Sequence, residues 1–241
     1  MHLCDLPGSQ EILKEQIHRL IKSDLINNAD DIFFCVNGDP NKLTDNIQLI
    51  SPYGNLTVIQ TATHSAQWEW PTLNFLKEYC DNSSEDFNLL YFHLKGVNGN
   101  PYARDWRRFM EYWNIDHWRD CVARLEEGYE TVGVNHTIGN NYWEHYSGNF
   151  WWAKSSYIKK LDRLIDPEKY PLGTKSKYMG WVLPREYLRF EHEAWLMSEH
   201  PRWFEIANSP GKHNVNWHYR FRYPPSEYMI EHPELNCVIS G

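Results

Sequence analysis

Apolar runs of two different periods alternate along the first half of this chain, and that alternation constrains its fold more than any other feature. Residues 9–22 (SQEILKEQIHRLIK) put Ile12, Leu13, Ile17, Leu20 and Ile21 on one helical stripe, with Ser9 placed to cap its start. Residues 30–37 (DDIFFCVN) form a short, nearly continuous apolar run ending at Gly38, as a strand buried on both faces of a parallel sheet requires. Residues 56–61 (LTVIQT) repeat that pattern, and Pro71 then opens a helix whose buried face is Leu73, Phe75, Leu76 and Tyr79. The clearest strand is 87–94 (FNLLYFHL), which stops at Lys95-Gly96 before a Gly/Asn/Pro-rich loop at 96–101. Strands separated by helices predict an α/β fold with a mainly parallel central sheet flanked by helices.

The second half is less regular. Residues 103–127 read as a long helix broken near Asn114, with Gly128 as its terminating residue. Strands are expected at 131–134 and 149–153, helices at 155–165 and 185–199, and a surface loop at 166–182. After Pro201 the chain reads as irregular and aromatic, with one strand at 217–223. This divides the 241 residues into a catalytic-type domain at 1–200 and a C-terminal extension at 201–241 packed on it.

A net charge of −8 argues against a nucleic-acid-binding face, which would need excess cations to neutralise phosphates. The 12 Trp and 15 Tyr offer flat faces with polar edges that suit sugars and bases, although most such rings in any protein build core and turns. Five cysteines without CxxC spacing fit neither a disulfide framework nor a zinc site and point to a reducing compartment. The sequons at Asn55, Asn82 and Asn135 read as chance matches for a cytoplasmic chain. No apolar run reaches the roughly 18 residues of a membrane span, which leaves only peripheral membrane contact open.

Ligands of parallel α/β sheets bind beyond the carboxyl ends of the strands, so the chemistry is sought there. His93 and Lys95 lie on one side of the clearest strand, and Gly96 lets backbone approach a ligand; a cation and an imidazole at that edge suit a diphosphate. The same residues fit a strand cap and a solvated lysine equally well. His145-Tyr-Ser147-Gly148-Asn149-Phe-Trp151-Trp-Ala combines small residues with an aromatic wall, as a sugar or acceptor pocket needs. Glu191 and Glu193 lie at a helix start where a carboxylate can serve as base, and Arg189 could pair with Glu193 on the same face. Arg104, Arg107 and Arg108 follow the glycine loop within reach of phosphates, and His213, His218 and Arg220 form a fainter cluster. No HExxH or HxH pair marks a metal site.

Taken in order, these segments resemble a group of bacterial and viral glycosyltransferase-like proteins. The resemblance rests on His2-Leu3-Cys4, Glu69-Trp70-Pro71-Thr72-Leu73, Tyr91-Phe92-His93-Leu94-Lys95-Gly96-Val97, Trp106-Arg107, the run 128–135, the run 145–153 and Glu193-Ala194-Trp195, and covers roughly residues 2–200. It implies a GT-A fold, a nucleoside-diphosphate sugar as donor and transfer to a hydroxyl of a glycan or other acceptor. It assigns donor binding to His93, Lys95, Gly96, Glu69, Thr72 and Arg107. The sugar or acceptor pocket falls to His145, Ser147, Gly148, Asn149 and Trp151. Glu193 is the base, with Glu191 as its substitute and inversion as the outcome.

The chain departs from that pattern twice. The strand that should end in DxD, the motif holding Mn or Mg on the donor diphosphate, ends in His93-Leu94-Lys95. Metal dependence is therefore open, and Lys95 is the candidate to supply the positive charge. The chain also starts at the end of the expected first strand, which is either lost or encoded upstream. Two other classes remain: a non-catalytic carbohydrate-binding module on a degenerate fold of this kind, and a hydrolase using paired carboxylates.

Overall fold

A computed structural model describes residues 1–49, 51–53, 56–63, 68–139, 142–166, 169–170, 173, 175–182, 190–212, 214 and 216–229. The chain opens on β1 (His2–Cys4), α1 (Ser9–Lys22) and β2 (Ile32–Asn37), followed by a short α2 (Thr44–Ile47) and β3 (Leu56–Ala62). Next come α3 (Trp70–Asn82), β4 (Asn88–Tyr91), α4 (Pro101–Glu111) and α5 (Trp118–Glu126). Then follow β5 (Thr131–Val134), the β6 (His136–Gly139) and β7 (Tyr142–Tyr146) hairpin, and β8 (Trp151–Lys154). The remaining elements are α6 (Ser155–Ile158), α7 (Glu191–Ala194) and β9 (Trp203–Ala207).

Two blocks of strands make the main sheet. β1, β2 and β3 pair in parallel, while β4, β8, β5 and β9 follow in that order. A parallel bridge between His2 and His93, with the His2 N–H donating to Phe92 O at 2.9 Å, joins the blocks through β1 and the residues just after β4. The order across the molecule is thus 3-2-1-4-8-5-9. The sheet is mainly parallel with one exception, β8, which runs antiparallel to both β4 and β5, and β6–β7 is a separate antiparallel hairpin. The β6–β7 hairpin turns the chain back, so that β8, which follows β7, returns antiparallel to β5, which precedes β6.

Alternation along β8 explains its Trp-Trp pair. Trp152 enters the core formed with α1, α4 and α5 (Leu13, Ile17, Phe109, Cys121), and Trp151 and Ala153 enter the one formed with α3 and α6 (Leu73, Cys80, Tyr157). The expected break at Asn114 is a π-helical turn over Tyr112–Asp116. It frees the Asn114 carbonyl to accept the Trp152 indole N–H at 2.8 Å, an intrahelical acceptor diverted to the sheet.

Other expectations shift as well. Gly8, left-handed at φ 85°, caps α1 in place of Ser9, which is buried. The helix at 155–165 shortens to Ser155–Ile158, and of 185–199 the described part is α7 and a 3-10 turn at Trp195–Met197. Residues 217–223 are not a strand: Trp217–Tyr219 is a 3-10 turn, because the aromatic rings there pack over α4 and do not pair backbone. The strand of that region is β9, parallel to β5, so the sheet continues past residue 200. The chain beyond β9 then wraps back, with Ser209 N–H bonded to Asn135 Oδ1 at 2.7 Å and Arg222 ion-paired to buried Asp105.

Cys4, Cys35, Cys80 and Cys121 are buried free thiols, and Cys237 lies outside the described residues. Among the described residues no helix is long and apolar enough to cross a membrane.

Candidate functional site

The strand order reverses between β1 and β4: the chain first builds outward through β2 and β3, then returns to β4 on the other side of β1. Crevices at such a switch point, beyond the carboxyl ends of the strands, are where open α/β sheets take ligands. Residues His93 to Gly96 follow β4 there. Gly96 turns the chain at φ 89° against the start of α4, with Ala103 carbonyl carbon 3.5 Å from where a Cβ would sit. His93 Nε2–H donates to Gly148 O at 2.9 Å, tying the end of β4 to the loop before β8.

Lys95 is partly exposed and lies over two aromatic rings, its Nζ 4.0 Å from the Trp106 centroid and 5.8 Å from that of Tyr219. Trp106 also touches the loop before β8: a Cβ on Gly148, at φ 93°, would fall 3.1 Å from Trp106 Cζ2 and 2.4 Å from Met110 Sδ. On its other face Trp106 stacks on His218, centroids 4.3 Å apart at 9°. Burial and the Lys95 charge lower His218 to about 3, so that ring is neutral beside the Lys95 ammonium.

Glu69, just before α3, organises the floor. Its Oε2 accepts from Tyr91 OH at 2.8 Å and from Asn149 Nδ2 at 2.5 Å, and its Oε1 lies 3.7 Å from His93 Nε2. Asn149 Oδ1 accepts from Trp151 Nε1 at 2.7 Å, so one amide fixes a carboxylate and an indole together. Asn149 itself is left-handed at φ 58°, a conformation that asparagine tolerates better than most residues. Burial alone would raise the Glu69 carboxyl; His93, His2 and His192 nearby and the Tyr91 hydroxyl more than offset this and bring it to about 2. The same burial lowers His2 to about 3 and His192 to about 4, and depresses His93. The imidazoles therefore attract the Glu69 carboxylate only in acid, where they carry protons, and near neutral pH it is held by the Tyr91 and Asn149 donors.

The third part is the hydroxyl side. His145 Nδ1–H donates to Trp143 O at 2.8 Å, which leaves the Nε2 lone pair pointing away from the β7 backbone. Nε2 lies 3.3 Å from Ser147 Oγ and 3.7 Å from Glu193 Oε2. Burial depresses His145, against the opposing effect of Glu193, so its ring is neutral. A neutral imidazole nitrogen and a partly exposed carboxylate therefore face one another, an arrangement suited to receive a hydroxyl proton.

Of the residues singled out from sequence, His93, Lys95, Gly96, Glu69, Gly148, Asn149, His145, Ser147 and Glu193 gather at this end of the sheet. Four others are placed differently. Arg107 is 1% exposed with its guanidinium committed to Glu111 and Glu15, both at 2.6 Å, which leaves no face for a donor phosphate. Glu191 is buried and accepts from Tyr170 OH at 2.9 Å, Lys177 N–H at 2.9 Å and Ser176 OH, so it anchors a loop and does not act as a base. Trp151 is core, stacked on Tyr91 at 5.0 Å, and reaches the site only through Asn149. Thr72 reaches the site only through His2, whose Nδ1 shares a 2.8 Å hydrogen bond with its hydroxyl. Arg104 and Arg220 are exposed, Arg108 pairs with Glu15 at 2.8 Å, and Arg189 and His213 lie outside the described residues.

Sequence reasoning missed Trp106, His2, His192 and Tyr219. Trp106 and Met110 stand four apart on α4, a helical spacing that signals one shared face, here the face that closes on Gly148. Among the described residues no group of three or more His, Cys, Asp or Glu is placed to hold a metal ion.

No curated protein and no solved structure matches the chain. Residues 5–236 match the family described as a domain of unknown function, DUF8361, a span that includes every group named in this site except His2. The chain belongs to the DUF8361 family.

Proposed function

We propose that this protein is a GT-A-type glycosyltransferase that moves a sugar from a nucleoside-diphosphate donor to a hydroxyl of a glycan or other acceptor. One observation carries this reading. Three segments far apart in sequence, 93–96, 145–149 and 191–193, meet beyond the carboxyl ends of β1 and β4, linked by the His93–Gly148 bond, the Trp106 contact between Lys95 and Gly148, and the His145–Glu193 approach. A cation on one side and a carboxylate–imidazole pair on the other match the two charges that such a transfer develops.

In this reading Lys95 offsets charge on the diphosphate as the bond from its oxygen to the sugar C1 breaks. Glu193 takes the proton of the acceptor hydroxyl as that oxygen bonds to C1 from the opposite face, which inverts the centre. His145, with Nε2 bare, orients the hydroxyl by accepting from it or from Ser147. Glu69 and Asn149 set the Gly148 loop that shapes the sugar pocket.

The reading is tested by a thermal-shift screen against UDP, GDP, CDP and ADP, with and without Mn, followed by transfer assays with the matching sugar nucleotides. One nucleotide should raise the melting temperature. Glu193→Gln should then abolish transfer while donor affinity changes less than about threefold, as expected for a group acting in the transition state. Full turnover in Glu193→Gln removes it as the base. Binding of free sugar with no response to any nucleotide would instead make the protein a carbohydrate-binding module.

A further inference from the structure

β3 forms one edge of the sheet, and among the described residues it pairs with β2 alone. From Asn46 to Trp68 the sequence holds no Asp, Glu, Lys or Arg, although these make up 23% of the chain, and no other stretch free of them is as long. β3 lies in the middle of that run. Thr57, Val58 and Gln60 are exposed, Val58 at 39%. Thr57 and Val58 point to opposite faces of the strand, so solvent reaches both faces and burial does not account for the missing charge. Edge strands are ordinarily guarded against further pairing by charged side chains or proline, and β3 carries neither.

The register fixes which peptide groups are open. Cys35 N–H donates to Met1 O at 3.0 Å and Phe33 O accepts from Met1 N at 2.8 Å, so Phe33 and Cys35 turn toward β1. By alternation Phe34 and Val36 turn toward β3, where Phe34 lies opposite Val58. In a parallel ladder such a residue bonds the neighbours of the one it faces, here Thr57 and Ile59. Leu56, Val58 and Gln60 therefore point their N–H and C=O groups outward. Ile47, Tyr53 and Leu56 pack on the core that holds α1, so the uncharged segment before β3 flanks it on that face and adds the exposed Leu49 and Pro52 to the patch.

We propose that β3 is a dimerisation edge: β3 of a second copy of this chain pairs with it antiparallel across a twofold axis at Val58, and one continuous sheet runs through both copies. The pairing closes the outward peptide groups of Leu56, Val58 and Gln60 against one another. It sets Val58 against Val58, Leu56 against Gln60 and Thr57 against Ile59, so no like charges meet and β-branched side chains touch on both faces. A strand of another protein would have to bring a matching neutral edge, which a second copy carries by symmetry. Strand pairing alone falls short of the roughly 1,000 Å² that a stable interface buries, and Leu49 and Pro52 of each copy enlarge it on the α1 face. Depletion of charge over the whole patch is the composition that the buried centre of an interface requires. This dimer goes beyond the transferase reading and does not depend on it, because its test uses neither nucleotide nor sugar.

The test measures the mass of the full chain by light scattering after size exclusion, from low to high micromolar concentration, together with hydrogen exchange of the Leu56, Val58 and Gln60 amides. The protein should give twice the mass of one chain and protect these amides. Val58→Lys sets two ammonium groups against each other across the axis and should weaken the dimer at least about tenfold. Val58→Pro removes an N–H that serves only the second copy, so the single chain should keep its melting temperature while the dimer is lost. The two variants act by different routes, so if one folds badly the other decides. Val182→Lys, at an exposed valine outside the uncharged run, should leave the dimer intact. A single-chain mass at every concentration, or a mass that keeps rising past two chains, would overturn the proposal. So would a dimer that survives Val58→Lys with these amides still protected, or one lost equally in Val182→Lys.

Discussion

At the scale of single residues, Asn149 and Gly148 show how little room the site leaves for substitution. Asn149 is left-handed, donates to Glu69 and accepts from Trp151. Asn149→Ala should cost about 2–4 kcal/mol in chemical denaturation, since it leaves a half-buried carboxylate and a buried indole each short of one partner. A loss below about 0.5 kcal/mol would mean the amide does not hold them. Lys95→Ala should weaken nucleoside-diphosphate binding at least tenfold with the fold unchanged, because the ammonium sits on aromatic faces and its removal leaves no buried charge behind. Both residues were legible as candidates in the sequence. Their partners were not: nothing in the spacing of residue 69 from residue 149 signals that their side chains meet, since that contact depends on which strand lies beside β4.

At the scale of elements, α4 combines two jobs on one helix. Its Trp106–Met110 face closes on Gly148, while Arg107 and Glu111 form a buried pair that also engages Glu15 and Gln16 on α1. The sequence made Arg107 look like a phosphate ligand because three arginines follow a glycine loop, and charge type alone does not distinguish a ligand from a buried strut. Arg107→Met should destabilise the protein by about 3–5 kcal/mol by stranding Glu111, yet leave nucleotide affinity in the remaining folded protein unchanged. Matched losses of stability and affinity would return Arg107 to the site. The helices and strands of the first half were readable because each is one clean period long. β6, β7 and β9 were not, because His136, His145 and Glu205 interrupt their apolar pattern with polar groups that are satisfied only by tertiary contacts: His136 by Glu144 at 3.0 Å, and Glu205 by the His136 N–H at 2.8 Å.

At the scale of the whole molecule, buried neutral histidines set the response to acid. His2, His192 and His218 are lowered to about 3, 4 and 3 by burial, whereas in the unfolded chain they take protons near pH 6.5. Folded values below unfolded values mean that the unfolded state binds more protons, so stability is full above about pH 6.5 and falls as pH drops toward 4. The denaturation midpoint should therefore decrease between pH 7.5 and 5, with up to about three protons taken up on unfolding at pH 5. A midpoint independent of pH over that range would place these rings in contact with water. The α/β class and the parallel start of the sheet followed from the alternation of periods. The strand order did not, because the reversal at β1 and the antiparallel β8 are set by which short connections close, and no local pattern records that.

The central claim is that the groups gathered beyond β1 and β4 receive a nucleoside diphosphate. Titration calorimetry of the four nucleoside diphosphates into the intact protein and into Lys95→Ala tests it most directly. The account predicts that one nucleotide binds the intact protein and binds Lys95→Ala at least tenfold more weakly. Absence of heat with all four, or equal affinity in both proteins, would contradict it.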